Sequence, residues 1–153
     1  MLLQYGFQDI VLCDRTGAIY QGRREGMNPY KHAIAKQTNK RMEKGHLDKI
    51  IKGKDIVIGL SSPGLVTAEM IKTMNKKSIV FALANPVPEI WPKDALDAGA
   101  AIAIDGRTIN NALAFPGIMR GALDARAPVI TYAMKFAAAE TLEVHASSTN
   151  IEL

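Results

Sequence analysis

The stretch that decides the fold is Phe81-Ala82-Leu83-Ala84-Asn85-Pro86-Val87-Pro88-Glu89-Ile90, in which an apolar strand runs into an amide side chain and two prolines. In an open parallel sheet, ligands bind in the crevice at the carboxyl ends of the strands. Asn85 is therefore predicted to lie where a small polar substrate or a nicotinamide would be held. The alternative is that Asn85 caps the helix that follows Pro92 or starts a turn, as an Asn-Pro pair commonly does.

Short apolar runs alternate with helical stretches along the whole chain, which is typical of βαβ units and a parallel sheet. The runs are continuously apolar, as expected when helices cover both faces of the sheet. The predicted strands are Asp9–Cys13, Asp55–Gly59, Ser78–Leu83 and Ala100–Ile104. The predicted helices are Pro29–Arg41, Leu47–Lys52, Thr67–Met74, Lys93–Asp97, Pro116–Ala125 and Val129–Val144.

The first residues are unusual for a doubly wound sheet. Such a domain starts with a strand and a glycine-rich turn whose N–H groups face a pyrophosphate, whereas Met1–Gly6 resembles the end of the helix that follows that turn. No Gly-x-Gly-x-x-Gly occurs in the chain. The expected fold is α/β, a partial Rossmann-like doubly wound parallel sheet that lacks the first strand and the glycine-rich turn. Residues 1–145 would form this incomplete dinucleotide-binding domain, and residues 146–153 a frayed tail.

Composition argues against several classes of partner. The 153 residues carry a net charge of +4, but the basic side chains are spread out with little aromatic interleaving, so no nucleic-acid interface is predicted. No apolar run approaches the ~20 residues of a membrane span, and a signal-peptide pattern is missing. The single cysteine, Cys13, lies in an apolar run and suits a buried position in a cytoplasmic protein. His32, His46 and His145 lack the spacing of a metal site.

Asp14 follows the first predicted strand, where an acid can accept hydrogen bonds from the hydroxyl groups of an adenine ribose. Its neighbour Arg15 could instead meet a ribose 2′-phosphate, so the pair leaves NAD and NADP open. The alternative is a plain turn, because the sequence from Asp14 to Gly17 has a composition that favours one.

A loop of small residues, Ser61, Ser62, Pro63 and Gly64, follows the second predicted strand. Small side chains and backbone N–H groups at this edge would let a cofactor lie close against the backbone. The stretch from Gly59 to Gly64 does not match the Gly-x-Ser-x-Gly of a nucleophile elbow.

Four motifs together resemble the carboxyl-terminal, dinucleotide-binding part of the malic enzymes, especially their compact bacterial form. They are Asp9-Ile-Val-Leu-Cys-Asp-Arg-x-Gly17, the stretch from Phe81 to Ile90, the pair Asn110-Asn111, and Leu113-Ala-Phe-Pro-Gly-Ile-Met-Arg-Gly-Ala-Leu-Asp-Ala-Arg126. The resemblance covers nearly all of residues 2–142.

This resemblance implies a function for the complete enzyme, which oxidises malate with NAD or NADP and then decarboxylates the resulting oxaloacetate to pyruvate, assisted by Mg²⁺ or Mn²⁺. It implies that Asn85 and Asn111 contact malate, that Asp14 faces the cofactor ribose, and that the loop from Ser61 to Gly64 faces the cofactor. Malic enzymes are usually dimers or larger, so a homo-oligomer is expected for the full-length enzyme.

The departures from the family concern catalysis. The tyrosine and lysine acid–base groups, the metal-binding carboxylates and the glycine-rich turn of the family all lie upstream of position 1, so no catalytic or metal-binding residue is assigned here. The chain alone is then expected to be inactive, because binding residues cannot replace acid–base and metal groups. The connection from Gly106 to Asn111 is also several residues shorter than in the bacterial family.

Two alternative functions stay open. One is a catalytically dead nucleotide-binding or interaction module, which would pair its exposed sheet edge with a partner. The other is a different nicotinamide-dependent dehydrogenase with the same architecture, since fold alone does not fix function.

Overall fold

The computed structural model describes residues 1–108 and 114–148. The chain divides into two compact units, Met1–Ile109 and Asn110–Leu153. In chain order the elements are β1 (Cys13–Asp14), β2 (Gly17–Ala18), α1 (Pro29–Ala35), α2 (Leu47–Ile50), β3 (Ile56–Gly59), α3 (Ala68–Lys72), β4 (Ile79–Ala82), α4 (Pro92–Asp97), β5 (Ile102–Asp105), α5 (Phe115–Asp124) and α6 (Tyr132–Ser148).

The first unit contains a three-stranded parallel sheet in the order β3-β4-β5. Its register aligns Ile58 with Phe81 and Phe81 with Ile104. Because α3 connects β3 to β4 and α4 connects β4 to β5, the sheet consists of two consecutive βαβ units. The α/β class is confirmed, and three of the four predicted strands lie in this sheet.

The core of this unit lies between the sheet and its connecting helices. Ile71 on α3, Val80 and Ala82 on β4, and Ala95 on α4 are almost completely buried. The starts of α3 and α4 lie within a residue of the predicted ones, and each has a local cause. The side-chain oxygen of Thr67 accepts a hydrogen bond from the backbone N–H of Met70, and a proline occupies the first turn of α4.

The predicted strand Asp9–Cys13 is wrong as a member of the parallel sheet. Only Cys13–Asp14 forms a strand, and it pairs antiparallel with Gly17–Ala18 in a short hairpin. Local partners take up the backbone groups of the apolar run, because the carbonyl of Leu12 accepts from the N–H of Ile19 at 2.7 Å. The run is therefore anchored to the segment that follows it in the chain.

The predicted helix Pro29–Arg41 is too long, since α1 ends at Ala35. Asn39 is the reason, because it adopts a left-handed backbone with φ +47° and is buried. Its side-chain amide donates to the carbonyls of Ile19 and Glu43, and its side-chain oxygen accepts from the N–H of Glu43. These bonds stabilise a turn where the helical pattern alone predicts continuation.

The second unit contains α5 and α6. Pro116 lies in the first turn of α5, and Arg120 pairs with Asp124 one turn later at 2.8 Å. The last helix, α6, begins at Tyr132 and continues to Ser148. Within residues 1–108 and 114–148, no helix is long and apolar enough to cross a membrane.

Replacing Ile71 by alanine tests whether α3 is held by this core. Ile71 is only 2% exposed, so the substitution removes buried methyl groups and is expected to lower the free energy of unfolding by about 2–5 kcal/mol. Urea unfolding of the purified chain measures this free energy. Leu96→Ala on α4 is the control, because Leu96 is 45% exposed and should cost less than about 1 kcal/mol. Equal losses at both positions would contradict the packing.

Candidate functional site

The loops that follow β3 and β4 meet at the carboxyl edge of the parallel sheet. The backbone N–H of Gly64 donates to the carbonyl of Pro88, and that of Val66 donates to the carbonyl of Glu89, both at 3.2 Å. The structure therefore brings together two of the predicted site segments, the loop from Ser61 to Gly64 and the Asn85 loop.

A buried carboxylate joins the same two loops. Glu89 is 0% exposed. Its Oε1 accepts a hydrogen bond from the N–H of Ser61 at 2.7 Å, and its Oε2 accepts from the N–H of Ala84 at 3.0 Å. Sequence reasoning missed this role of Glu89, although an acid next to Ile90 and Pro88 in an apolar stretch was a usable signal.

The last residue of β3 makes room for this carboxylate. A Cβ atom on Gly59 would lie 2.5 Å from Cδ of Glu89 and within 2.8 Å of both its oxygens. A side chain at position 59 and the observed position of the carboxylate are therefore incompatible. Gly59 does not have a left-handed φ, so its backbone conformation does not demand a glycine. The close approach of the carboxylate does.

Asn85 is exposed and follows Ala84 directly, beyond the end of β4. The Asn85–Pro86 peptide bond is cis. The alternative in which Asn85 caps the next helix is wrong, because the N-cap of α4 is Trp91 and no side chain caps that helix. Asn85 thus lies exposed at the carboxyl edge of the sheet.

The third strand ends at this edge with a second buried acid, Asp105. Its carboxylate accepts from the guanidinium of Arg107, at 2.9 Å to Nη2, and from the backbone N–H of Arg107 and Thr108. These bonds hold the pKa of Asp105 below its usual value, and the bond from the Arg107 side chain has the largest effect. The guanidinium also lies over the ring of Trp91, 4.9 Å from its centroid. The Asn110-Asn111 pair lies outside the described residues.

A groove of about 670 Å³ opens beside these loops. Its lining includes Pro63, Gly64, Lys72 of α3 and Asp94 of α4. The groove therefore contacts part of the predicted cofactor loop but is not lined by Asn85.

Asp14 is the last residue of β1 and lies in the hairpin. Its carboxylate bonds to residues that are not part of the cluster at the carboxyl edge of the parallel sheet. Its carboxylate accepts from Nη1 of Arg23 at 2.9 Å, from Nη2 of the same side chain, and from Nζ of Lys31 at 2.6 Å. It also accepts from the backbone N–H and hydroxyl of Thr16, so the predicted turn is confirmed. Arg15, at the turn itself, is exposed.

These contacts determine the electrostatics of Asp14. The hydrogen bonds from Arg23 above all, then those from Lys31 and Thr16, hold the pKa of Asp14 far below its usual value, against the opposing effect of burial. With Arg23 and Lys31 both charged, the three side chains carry a net charge of +1. A ribose hydroxyl would have to share carboxylate oxygens that already accept several hydrogen bonds.

Nucleophilic and metal chemistry find no support in the part of the chain that is described. Cys13 is half-buried, and burial raises the pKa of its thiol to about 11, so the thiol stays protonated at neutral pH. No group of three or more His, Cys, Asp or Glu side chains that could hold a metal ion occurs within residues 1–108 and 114–148.

Comparison with known proteins places these features in a family context. The sequence model described as "Malic enzyme, NAD binding domain" matches residues 4–104. The bifunctional malic/malolactic enzyme of Bacillus subtilis (strain 168) is 50% identical over 147 residues, which are 93% of this chain and 36% of that protein. The NADP-dependent malic enzyme of Rhizobium meliloti (strain 1021) is 46% identical over 141 residues, 88% of this chain and 18% of that protein.

Solved structures agree with this comparison. The NAD-dependent malic enzyme of Thermotoga maritima superposes with a TM-score of 0.85 at 40% identity, over 90% of this chain and 38% of that one. The malic enzyme of Entamoeba histolytica gives a TM-score of 0.88 at 36% identity, over 99% of this chain and 34% of that one. The chain thus spans well under half the length of these relatives.

Replacing Asp14 by asparagine tests the charge arrangement in the hairpin. Because the pKa of Asp14 is lowered on folding, its carboxylate stabilises the fold above its usual pKa of 3.8, and this stabilisation declines as the pH falls below that value. The difference in unfolding free energy between the parent and Asp14→Asn should therefore shrink by about 1 kcal/mol between pH 7 and pH 3.

Urea unfolding at both pH values measures this difference. The control is Asp97→Asn, since Asp97 forms an exposed ion pair with Lys93 and should change stability by less than about 1 kcal/mol. A difference for Asp14→Asn that is the same at pH 7 and pH 3 would contradict the assignment.

Proposed function

Because this chain belongs to the malic enzyme family, we propose that it forms part of an enzyme that oxidises and decarboxylates malate to pyruvate and CO₂ with NAD or NADP. One observation carries the proposal beyond family membership. The loops after β3 and β4, with Ser61 to Gly64 on one and Asn85 on the other, are joined at the carboxyl edge of a parallel sheet. This edge is where ligands bind in sheets of this type.

In this proposal the described residues bind and orient the two ligands. The exposed loop from Ser61 to Gly64 offers small side chains against which a dinucleotide can lie. The exposed amide of Asn85 can donate to a carboxylate of malate and can also contact the nicotinamide. When bound, the cofactor takes up the two electrons released as the malate hydroxyl is oxidised.

The hairpin would serve the adenosine end of the cofactor. Asp14 could still accept a ribose hydroxyl, and Arg15 could meet a 2′-phosphate, so the proposal includes both NAD and NADP. The related enzymes named above include an NAD-dependent and an NADP-dependent type. Asn111 is proposed as a second malate contact from the family resemblance.

The metal of the family receives no residue in this proposal. The described side chains do not form a cluster that would fit Mg²⁺ or Mn²⁺. A homo-oligomeric state, a cytoplasmic location, the absence of a nucleic-acid partner and the boundary near residue 145 all stay predictions.

A chimera tests the proposal directly. The part of the Bacillus subtilis relative that precedes its matched segment would be joined to this chain, and malate-dependent reduction of NAD and NADP would be followed with Mn²⁺. We expect turnover, and we expect Asn85→Ala to lower kcat/KM roughly 10- to 150-fold, the cost of losing a hydrogen bond to a charged group.

The matched control is Asn75→Ala, since Asn75 bonds to Asp55 at the end of α3 and should leave kcat/KM unchanged. The isolated chain would be melted with and without each dinucleotide, because a ligand that binds only the native state raises the melting temperature. Binding without turnover in the chimera would favour the nucleotide-binding module. Neither binding nor turnover would contradict the proposal.

A further inference from the structure

We propose that Glu89 is a positioning residue, which holds the Ser61 loop and Asn85 in the geometry that binds cofactor and malate. The inference rests on the proposed function, because it concerns the same edge of the sheet. Glu89 borders the groove beside these loops but has no surface exposed to solvent. Its effect would pass through the two backbone N–H groups that it binds.

The chemistry of these two bonds requires a carboxylate. Oε1 accepts from Ser61 and Oε2 accepts from Ala84, so both oxygens face donors. A glutamine has nearly the same shape but carries one NH₂ group, which cannot accept from an N–H. In Glu89→Gln, one backbone N–H would therefore face the NH₂ group, which leaves that N–H without an acceptor and repels it.

The positions of these two bonds in the chain allow Glu89 to affect both predicted ligand-binding segments. Ser61 is the first residue of the predicted cofactor loop, and Ala84 immediately precedes Asn85. Consecutive Cα atoms are about 3.8 Å apart, so the tie at Ala84 restricts the place from which the Asn85 side chain extends. One side chain thus anchors both ligand-binding segments, at Ser61, which is 28 positions from Glu89, and at Ala84, which is 5 positions from it.

Gly59 supplies an independent part of the argument. The carboxylate occupies the space that a Cβ at position 59 would need, at 2.5 Å. Gly59→Ala would leave the Glu89 side chain chemically intact but would force it to move. Both substitutions should therefore produce the same change in the two loops by different means.

The first experiment is NMR of the isolated, ¹⁵N-labelled chain. In the unmodified protein we expect the amides of Ser61 and Ala84 to be protected from hydrogen exchange, although Ser61 lies in an exposed loop. In Glu89→Gln and in Gly59→Ala we expect both amide signals and the Asn85 side-chain NH₂ signals to shift. Glu69→Gln is the control, because Glu69 is exposed and pairs with Lys72.

Rapid exchange of the Ser61 or Ala84 amide in the unmodified chain would overturn the proposal without any variant. So would Asn85 side-chain signals that do not move in Glu89→Gln or Gly59→Ala. If Glu89→Gln does not fold, Gly59→Ala and the exchange measurement on the unmodified chain still decide the question.

The second experiment measures dissociation constants for NAD and NADP by calorimetry. We expect Glu89→Gln to raise the dissociation constant roughly 10- to 100-fold, the scale of effect of a misplaced binding group, while Glu69→Gln leaves it unchanged. Lowered stability with an unchanged dissociation constant would show a purely structural role and overturn the inference. If the unmodified chain binds neither dinucleotide, the same variants are measured in the chimera. If the chimera also binds neither, the cofactor part of the proposed function fails, and the NMR experiment alone decides the role of Glu89.

Discussion

The contact between the Glu89 carboxylate and the N–H groups of Ser61 and Ala84 is the interaction that joins the two loops at the carboxyl edge of the sheet. A buried carboxylate is costly unless its oxygens accept hydrogen bonds. Both oxygens do so here, and the close approach to Gly59 places the carboxylate against the last residue of β3. The ends of β3 and β4, which pair through their backbones, are thereby also joined beyond the point at which the strands end.

Sequence predicted the parallel sheet well because continuous apolar runs are typical of strands in such sheets, and the strands are Ile56–Gly59, Ile79–Ala82 and Ile102–Asp105. Burial on both faces was also expected, yet Ile58 and Ile102 are exposed in this chain. The same composition misassigned Asp9–Cys13, because an apolar run does not reveal its hydrogen-bond partner. Here the partners lie outside the parallel sheet, at Ile19 and Asn39. The early end of α1 was missed for a related reason, since the buried Asn39 amide stabilises a turn that helical periodicity cannot detect.

The candidate site likewise contains features that the sequence predicted and features that it did not. The proximity of the Ser61 to Gly64 loop and the Asn85 loop could be predicted because each follows an apolar strand, and strand ends meet at one edge of a parallel sheet. Glu89 was missed because its function lies in a contact with Ser61, 28 positions away. The Arg23 and Lys31 contacts of Asp14 are likewise separated in sequence, by 9 and 17 positions, so the sequence alone left the state of that carboxylate open.

The charges at the edge are compatible with the ligands of the proposed function. A dinucleotide and malate are both anions, so an unpaired carboxylate facing them would oppose binding. Two acids nevertheless lie at this edge, and each is turned inward. Glu89 accepts from backbone N–H groups, and Asp105 from Arg107 and Thr108. Ser61, Ser62 and Asn85 present exposed neutral polar groups, and the exposed guanidinium of Arg107 adds a positive charge. The acids thus shape the loops while the surface offered to an anionic ligand carries no negative charge from them.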